Sequence, residues 1–309
     1  MKICGRVYLG GTGEMHLCED GYGNEYLFKP AVRKGTDEYE PFRADIQVAA
    51  AKLQQIISPE TAVKCELAEV GDMKGAIQEK VKVDEAKTAE ISAYYYDGAP
   101  LDENLARQFM REYVVDFCLV NYDAHYNNFI VDDKGNLRGV DKEQSLKHLA
   151  GYSAQHDYKM DSYHPNQKFG EERPIYGKLF KDIQNGVLPA NILQEVHKGI
   201  EAVRAIPANE YLDIFTPYAK SLGYEGEKMG EFYEQIMNRR ESLREVETIL
   251  EEMGQPKISQ EYTQPVQEQR KTAAQASLTE LSQYLGVLKE KFAGMMHGHA
   301  HEKVVSNEK

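Results

Sequence analysis

The sequence predicts an α+β fold of two lobes, in which a small sheet-rich N-lobe precedes a mostly helical C-lobe. Short alternating segments separated by glycine-rich turns fill most of the first 85 residues, a pattern typical of antiparallel strands. Apolar residues at intervals of three and four dominate the chain afterwards, a pattern typical of amphipathic helices. A chain of 309 residues is long enough for two such lobes.

Changes in composition along the chain suggest the boundaries of the lobes. We expect the N-lobe to span 1–84 and the C-lobe to span 85–254. Glutamine, glutamate, serine, threonine and lysine then dominate, so residues 255–309 are expected to form a C-terminal tail. One more helix is predicted in this tail at 276–293, and its last 15 residues are expected to be disordered.

The strands of the N-lobe are predicted from alternation and from turn residues. Two alternating segments lie at 3–11 and 14–18, and a turn at 20–24 leads to a third, Glu25–Pro30. Strand character returns at 61–83, where a Gly-Asp turn separates two further segments. The N-lobe is therefore expected to be a small sheet accompanied by one helix.

That one helix is predicted at 41–57, where apolar residues recur every three or four positions. Pro41 suits its first turn, and Ser58 with Pro59 ends it. In the C-lobe, a strong amphipathic pattern predicts a helix at 101–120. Further helical patterns cover 190–205, 208–222 and 228–253.

Charge and composition exclude several classes of function. The chain has 37 Lys and Arg against 50 Asp and Glu, a formal net charge of −13, which disfavours general binding to nucleic acid or to anionic membranes. No apolar run approaches the roughly 18 residues of a membrane span, and none at the start has the length of a signal peptide. We expect a cytoplasmic protein, although an effector delivered by a dedicated secretion machine would have the same composition.

The four cysteines do not suggest a metal or redox site. They are scattered along the chain without any C-x-x-C spacing. Each lies in an apolar or strand-like segment, so all four are expected to be buried thiols. They are Cys4, Cys18, Cys65 and Cys118.

The sharpest motif is D-x-H-x-x-N, formed by Asp123, His125 and Asn128 just after a hydrophobic helix. A β-hairpin is predicted at 128–141 from its Asp-Lys-Gly-Asn turn, and it would bring Asp141 back beside the motif. The oxygen donors of Asn128 and Asp141 suit Mg²⁺, while Asp123 could orient a hydroxyl. These are the parts that phosphoryl transfer needs. The alternative is a polar surface loop.

Lys29 is the second unusual feature. It lies in the apolar strand segment Leu-Phe-Lys-Pro, downstream of glycine-rich turns. A lysine is costly to bury unless it has an anionic partner, and the α- and β-phosphates of ATP would be a natural one. The alternative is a lysine on an edge strand that faces solvent.

Taken together, these motifs resemble the atypical branch of the protein-kinase-like superfamily, namely HipA-type kinases and phosphatidylinositol 3/4-kinase-like proteins. Aminoglycoside phosphotransferases and choline kinases share a similar D-x-H-x-x-N, so the motif is more specific for the superfamily than for the substrate. The segment 139–145 (GVDKEQS) resembles the I-D-N/H-G segment of type II phosphatidylinositol 4-kinases and departs from Asp-Phe-Gly. The segment 75–81 (GAIQEKV) resembles the hinge between the lobes.

The resemblance implies a two-lobed protein-kinase-like fold that binds ATP and Mg²⁺. Lys29 would pair with the α- and β-phosphates. Three glycines would let the backbone approach the phosphates: Gly10, Gly11 and Gly13. Hinge residues would meet adenine: Gln78, Glu79 and Lys80.

For the chemistry, the resemblance assigns separate roles to the motif residues. Asp123 would accept a proton from the acceptor hydroxyl or orient it. Asn128 and Asp141 would hold Mg²⁺, and His125 would brace the loop.

One position departs from the resemblance. The helix at 41–57 should carry a glutamate that pairs with Lys29, and Gln47 stands at the matching place. Asp45, Glu40 or Glu38 could replace that glutamate from the start of the helix. Without any of them, Lys29 would lack its orienting carboxylate and turnover would be weak.

The sequence thus predicts an ATP- and Mg²⁺-dependent kinase whose partners are ATP and a hydroxyl-bearing acceptor, foremost a protein serine or threonine. One alternative is a kinase for phosphatidylinositol or for a small molecule such as an aminoglycoside or choline. A lipid kinase should have a basic surface, which the net charge of −13 does not suggest. A second alternative is a pseudokinase that binds nucleotide as a scaffold; the departure at Gln47 favours it, and the intact motif residues disfavour it.

Overall fold

An antiparallel sheet of five strands forms the N-terminal part of the protein. The structure is a computed structural model, and it describes residues 2–7, 15–33, 35–121, 123–147, 149 and 175–252. Its first five strands are β1 (Lys2–Val7), β2 (Met15–Glu19), β3 (Glu25–Pro30), β4 (Cys65–Val70) and β5 (Met73–Glu79). Their order across the sheet is β1-β2-β3-β5-β4, so β3 lies at the centre. The predicted sheet-rich N-lobe is confirmed.

Alternation along β3 gives its residues opposite environments. Phe28 is fully buried on one face of the sheet, where it packs with Cys18, Val70 and Ile77. Because successive side chains of a strand point to opposite faces, Lys29 is turned to the other face. This is the face that carries the helix 42–57, so the fold of the sheet directs Lys29 towards the interior of the molecule.

Helices make up most of the rest of the described chain, as predicted for the C-lobe. A short hairpin, β6 (Phe129–Val131) and β7 (Leu137–Gly139), interrupts them. The helices are α1 (Phe42–Ile57), α2 (Glu85–Asp97), α3 (Glu103–Leu119), α4 (Ile175–Gln184), α5 (Gln194–Arg204), α6 (Ala208–Ser221), α7 (Gly226–Glu241) and α8 (Leu243–Glu252). None of these helices is long and apolar enough to span a membrane.

Helix α1 forms where the sequence predicts a helix, and it joins the sheet to the helical part. It contacts β4 and β5 on one side and α3, α5 and α6 on the other. Its apolar side chains, among them Ile46, Ala49, Leu53 and Ile57, are buried in the same large core as α3. Although α1 lies within 1–84, it is therefore held mainly by burial against the helices of the C-lobe.

The sequence patterns do not predict α2, because its apolar face is narrow. Only Ile91 and Tyr94 are buried on it. Its ends carry clear signals instead: the Asp84 side chain accepts a hydrogen bond from the Lys87 N–H at 3.0 Å, and Gly98 ends the helix at φ +67°. Capping residues would have located this helix where apolar periodicity could not.

The pattern predicted as one helix at 228–253 is two helices in the structure. They separate at Ser242, whose hydroxyl donates to the carbonyl oxygen of Arg239 at 2.7 Å. Such local bonds let serine compete with the regular hydrogen bonds of a helix. The predicted tail at 255–309, including the helix at 276–293, lies outside the described residues.

The expectation of four buried thiols is confirmed for two of them, is only partly met at Cys65 and is wrong for Cys4. Cys18 and Cys118 are buried and Cys65 is partly exposed, but Cys4 is exposed on β1. The reason is the place of β1 at the edge of the sheet, which leaves this part of the strand open to solvent although its sequence alternates.

Alkylation should separate Cys4 from the other thiols. Burial raises the pKa of Cys65 to about 12 and that of Cys118 to about 11, so neither forms much of the reactive thiolate at pH 8. We expect iodoacetamide to modify Cys4 first in the native protein, measured by peptide mass spectrometry over time. The variant C4S should lose the fast phase, and guanidinium should expose all four thiols. Fast native modification of Cys65 would contradict the raised pKa of its thiol.

Candidate active site

The loop after α3 carries Asp123 and holds it by its own polar groups. Val120 ends α3 in the left-handed region at φ +46°. The Asn121 side chain accepts the N–H of Asp123 at 3.2 Å, and the Asn128 side-chain amide donates to the carbonyl oxygen of Asp123 at 2.7 Å. The spacing of five residues between Asp123 and Asn128 thus closes a compact loop. Since the side-chain nitrogen of Asn128 donates this bond, its side-chain oxygen is the atom that could bind a ligand such as a metal ion.

The predicted hairpin brings Asp141 back to this loop. Phe129 pairs with Gly139 across β6 and β7, and the N–H of Val140 donates to the backbone oxygen of Asn128 at 2.9 Å. Asp141 therefore directly follows Val140, the residue that is hydrogen-bonded to Asn128. The two residues that the sequence predicts as metal ligands are brought together by this ladder.

Asp141 has a backbone conformation that side chains other than glycine rarely adopt. Its φ is +54°. A residue held in this region costs of order 1–3 kcal/mol, and such residues cluster at functional sites because the surroundings must enforce them. The hairpin fixes the chain just before Asp141, and buried contacts of the following residue fix it just after.

Lys29 has the anionic partners that its burial requires. Its Nζ lies 3.0 Å from the Asp141 carboxylate and also contacts the Glu143 carboxylate. Burial by itself would lower the pKa of Lys29, but the two carboxylates outweigh it, so the pKa is raised and the ammonium stays charged. Lys29 and Asp141 thus lie in contact, and the interpretation of Lys29 as a solvent-facing lysine is wrong, since its side chain is 14% exposed.

The carboxylates that contact Lys29 come from the segment after β7 and not from α1. Gln47 instead donates a hydrogen bond to the carbonyl oxygen of Arg43 at 3.2 Å. Arg43, at the start of α1, contacts both Glu40 and Glu143. Helix α1 therefore reaches Glu143 through a cation, and Glu143, which lies outside α1, contacts Lys29.

The other candidates for that carboxylate lie elsewhere. Glu40 contacts Arg43, and the exposed Glu38 pairs with Arg33 at 3.3 Å. Sequence reasoning missed Glu143, which follows Asp141 by two positions. Because the chain turns at the positive φ of Asp141, strand alternation does not indicate that both carboxylates meet Lys29.

Asp123 is one-third exposed, and a histidine stands beside it. The Nε2 atom of His125 lies 3.6 Å from Asp123 Oδ1, and the N–H of His125 donates to the Asp123 carbonyl oxygen at 2.8 Å. These contacts hold His125 against the Asp123 loop, and its bracing role stays a prediction.

A group of tyrosines, which the sequence did not single out, borders the Asp123 loop. Tyr126 stacks on Tyr95 with ring centroids 5.3 Å apart, and it accepts a hydrogen bond from the Tyr96 hydroxyl at 2.8 Å. Helix α2 thus packs its aromatic end against the loop.

The predicted adenine-contacting residues lie at the end of β5. The N–H of Lys80 donates to the backbone oxygen of Glu25 at 3.1 Å, and that of Glu79 to the backbone oxygen of Lys64 at 3.4 Å. Both groups are therefore engaged in the sheet. The Gln78 side chain lines a cleft that Asp141 also lines, together with Gln47.

The remaining predicted residues are Gly10, Gly11 and Gly13, which lie outside the part of the chain that the structure describes.

After β5, the chain is hydrogen-bonded to the hairpin. The N–H of Asp84 donates to the backbone oxygen of Val131 at 2.8 Å, and Val83 bridges to Asp132. These contacts hold the connection between the lobes against the strand that follows Asn128.

No protein-family model matches this chain, and no curated protein matches it significantly. Among solved structures, the chain is similar to one described as the proinflammatory kinase CtkA of Helicobacter pylori. The two are 13% identical, with a TM-score of 0.46, over 81% of this chain and 96% of that one. At this level of similarity, the likeness carries no inference about function.

Proposed function

We propose that this protein is an ATP- and Mg²⁺-dependent kinase that transfers the γ-phosphate of ATP to a hydroxyl, foremost on a protein serine or threonine. The observation that carries the proposal is the contact between Lys29 on β3 and Asp141 after β7, at 3.0 Å. It joins a cation that can bind phosphate to a carboxylate that can bind a metal. Asn128 is tied to the residue before Asp141, and Asp123 is tied to Asn128.

The residues around Asp141 fit Mg²⁺ by their chemistry. A carboxylate and an amide oxygen are hard donors, and Mg²⁺ commonly binds one or two such protein groups together with water and phosphate oxygens. No cluster of three or more His, Cys, Asp or Glu side chains suited to a metal occurs in the described ranges. When bound, Mg²⁺ would neutralise charge on the phosphates.

The charges around Lys29 also support a cation requirement. Lys29 and Arg43 face the carboxylates of Asp141, Glu143 and Glu40. Two cations and three carboxylates leave one net negative charge. Such a site would repel a polyphosphate unless further positive charge entered with it.

Each remaining role belongs to a residue of the chain. Lys29, held in its charged form, would bind the α- and β-phosphates and orient them. Asp123, one-third exposed, would accept a hydrogen bond from the acceptor hydroxyl and aim it at the γ-phosphate. We place the acceptor on a protein because the net charge of −13 disfavours the anionic membrane surfaces where lipid head groups lie.

Phosphate transfer tests the proposal directly. The purified protein is incubated with Mg²⁺ and γ-labelled ATP, alone, with cell lysate, with phosphatidylinositol vesicles, or with an aminoglycoside. We expect label on the protein itself or on lysate proteins. The variant D141N should lose at least about a hundredfold in rate, because it removes a metal-binding charge. Asparagine is chosen because it tolerates positive φ better than alanine.

The matched control is D133N, which changes an exposed carboxylate in the turn of the same hairpin and should leave the rate unchanged. Full activity of D141N would overturn the metal assignment. If only the lipid or only the aminoglycoside were labelled, the acceptor would belong to that class of molecule and not to proteins. Binding of ATP without any transfer would instead support a pseudokinase.

Glu143 should matter for catalysis, although it lies outside the D-x-H-x-x-N motif. The variant E143Q removes one of the two carboxylates that contact Lys29, and we expect kcat/KM for ATP to fall about tenfold, or about 1.4 kcal/mol of transition-state stabilisation. Steady-state kinetics at saturating Mg²⁺ measure it. The variant E38Q, at the exposed pair with Arg33, should behave as wild type. The opposite ranking of the two variants would return the orienting role to the start of α1.

A further inference from the structure

The tripeptide 141–143 divides its side chains between two environments. Asp141 and Glu143 contact Lys29, while Lys142 enters the helical core between Glu112 and Asp116 of α3. The Lys142 Nζ lies 2.7 Å from Glu112 Oε1 and 2.6 Å from Asp116 Oδ1. The lysine side chain is 6% exposed and the two carboxylates are fully buried. A buried ionic group of this kind is costly unless all its members are well bonded.

Glu112 is held by residues of the N-lobe. One of its carboxylate oxygens accepts a hydrogen bond from the Gln54 side chain of α1 at 2.8 Å, and the other accepts one from the Thr61 hydroxyl. The same Gln54 nitrogen also lies 3.1 Å from the backbone oxygen of Gly139, at the end of β7. A Cβ atom at Gly139 would come within 2.3 Å of Glu112, so this part of the hairpin lies directly against the ionic group.

Asp116 is held by residues of the C-lobe. Its carboxylate accepts hydrogen bonds from the Tyr176 hydroxyl of α4 at 2.6 Å and from the Asn121 side-chain amide at 2.8 Å. Asn121 in turn accepts the N–H of Asp123. The buried group therefore touches both the hairpin that leads to Asp141 and the loop that carries Asp123.

These contacts bear on the strained backbone of Asp141. A positive φ at an aspartate persists only where its neighbours on both sides are fixed. The bond between Val140 and Asn128 fixes the side before it. On the other side, the buried ammonium of Lys142 is the next fixed point along the chain.

We propose that Lys142 is a positioning residue, which, by anchoring on Glu112 and Asp116, sets the Asp141 carboxylate for the metal and the Glu143 carboxylate for Lys29. The proposal rests on the kinase function inferred above, and it adds a residue to the catalytic arrangement that its motif does not contain. A lysine that only stabilised the core would leave metal binding unchanged once the fold was preserved.

The test separates anchoring from stability by removing the whole charge group. The single variant K142M would leave two buried carboxylates without a cation and is expected to unfold readily. The triple variant K142M/E112Q/D116N removes all three charges, keeps the shapes of the α3 side chains, and is expected to fold. Lys142→Arg keeps the charge but replaces a point donor with a longer planar one. Lys147→Met, at an exposed lysine of the same segment, is the matched control.

Thermal melting reports the fold of each variant. Mn²⁺ binding is then measured by electron paramagnetic resonance with a non-hydrolysable ATP analogue, because this readout does not require turnover. We expect the triple variant to melt within a few degrees of wild type yet bind Mn²⁺ about tenfold more weakly, with a matching rise in the Mg²⁺ concentration for half-maximal transfer. Lys147→Met should match wild type in both measurements.

Wild-type Mn²⁺ affinity in a folded triple variant would overturn the proposal. Should the triple variant fail to fold, Lys142→Arg decides: weaker Mn²⁺ binding at an unchanged melting temperature supports anchoring, and unchanged binding refutes it. Failure of the proposed function looks different, because wild type itself would then neither bind Mn²⁺ with the nucleotide analogue nor transfer phosphate.

Discussion

The contact between Lys29 and Asp141 constrains the rest of the molecule. It joins residues 112 positions apart, one on the central strand of the sheet and one after the hairpin of the helical part. A lysine that is 14% exposed needs an anion to offset its lost hydration, so the sheet cannot sit elsewhere on the helices without a large cost. The packing of α1 also holds the sheet against the helices. The bonds between residues 83–84 and the hairpin do the same.

Glu143 changes how the two halves of the site depend on each other. Where an orienting carboxylate stands on a helix of its own, the lysine and the metal ligand can be positioned independently. Here the carboxylate that contacts Lys29 lies two residues after Asp141, in one short segment. A shift of that segment would move both carboxylates together. Helix α1 is buried in the large core on its other side, so it is better suited to hold Arg43 against Glu143 than to swing in and out of the site.

Local patterns were enough to predict the strands, α1, α3 and the hairpin, because each depends on residues at most a few positions apart. The pairing of Lys29 with Glu143 was not predictable in this way, since no local pattern specifies which distant carboxylate meets a lysine. The run Asp-Lys-Glu also misleads, because adjacent charges usually mark a solvated face. A signal of another kind was the pair Glu112 and Asp116, four apart on α3, because buried carboxylates require a cation from elsewhere, which here is Lys142.

The net charge of −13 takes on a more specific meaning at the site than in the composition. The three carboxylates of Asp141, Glu143 and Glu40 outnumber the cations Lys29 and Arg43 by one. Charges interact more strongly in a low dielectric than in water. This excess negative charge would therefore repel a phosphate bound in the site more than one in solution. Under the function proposed above, a divalent cation would be a condition for binding the triphosphate, and the accuracy with which Lys142 holds Asp141 would govern how well that condition is met.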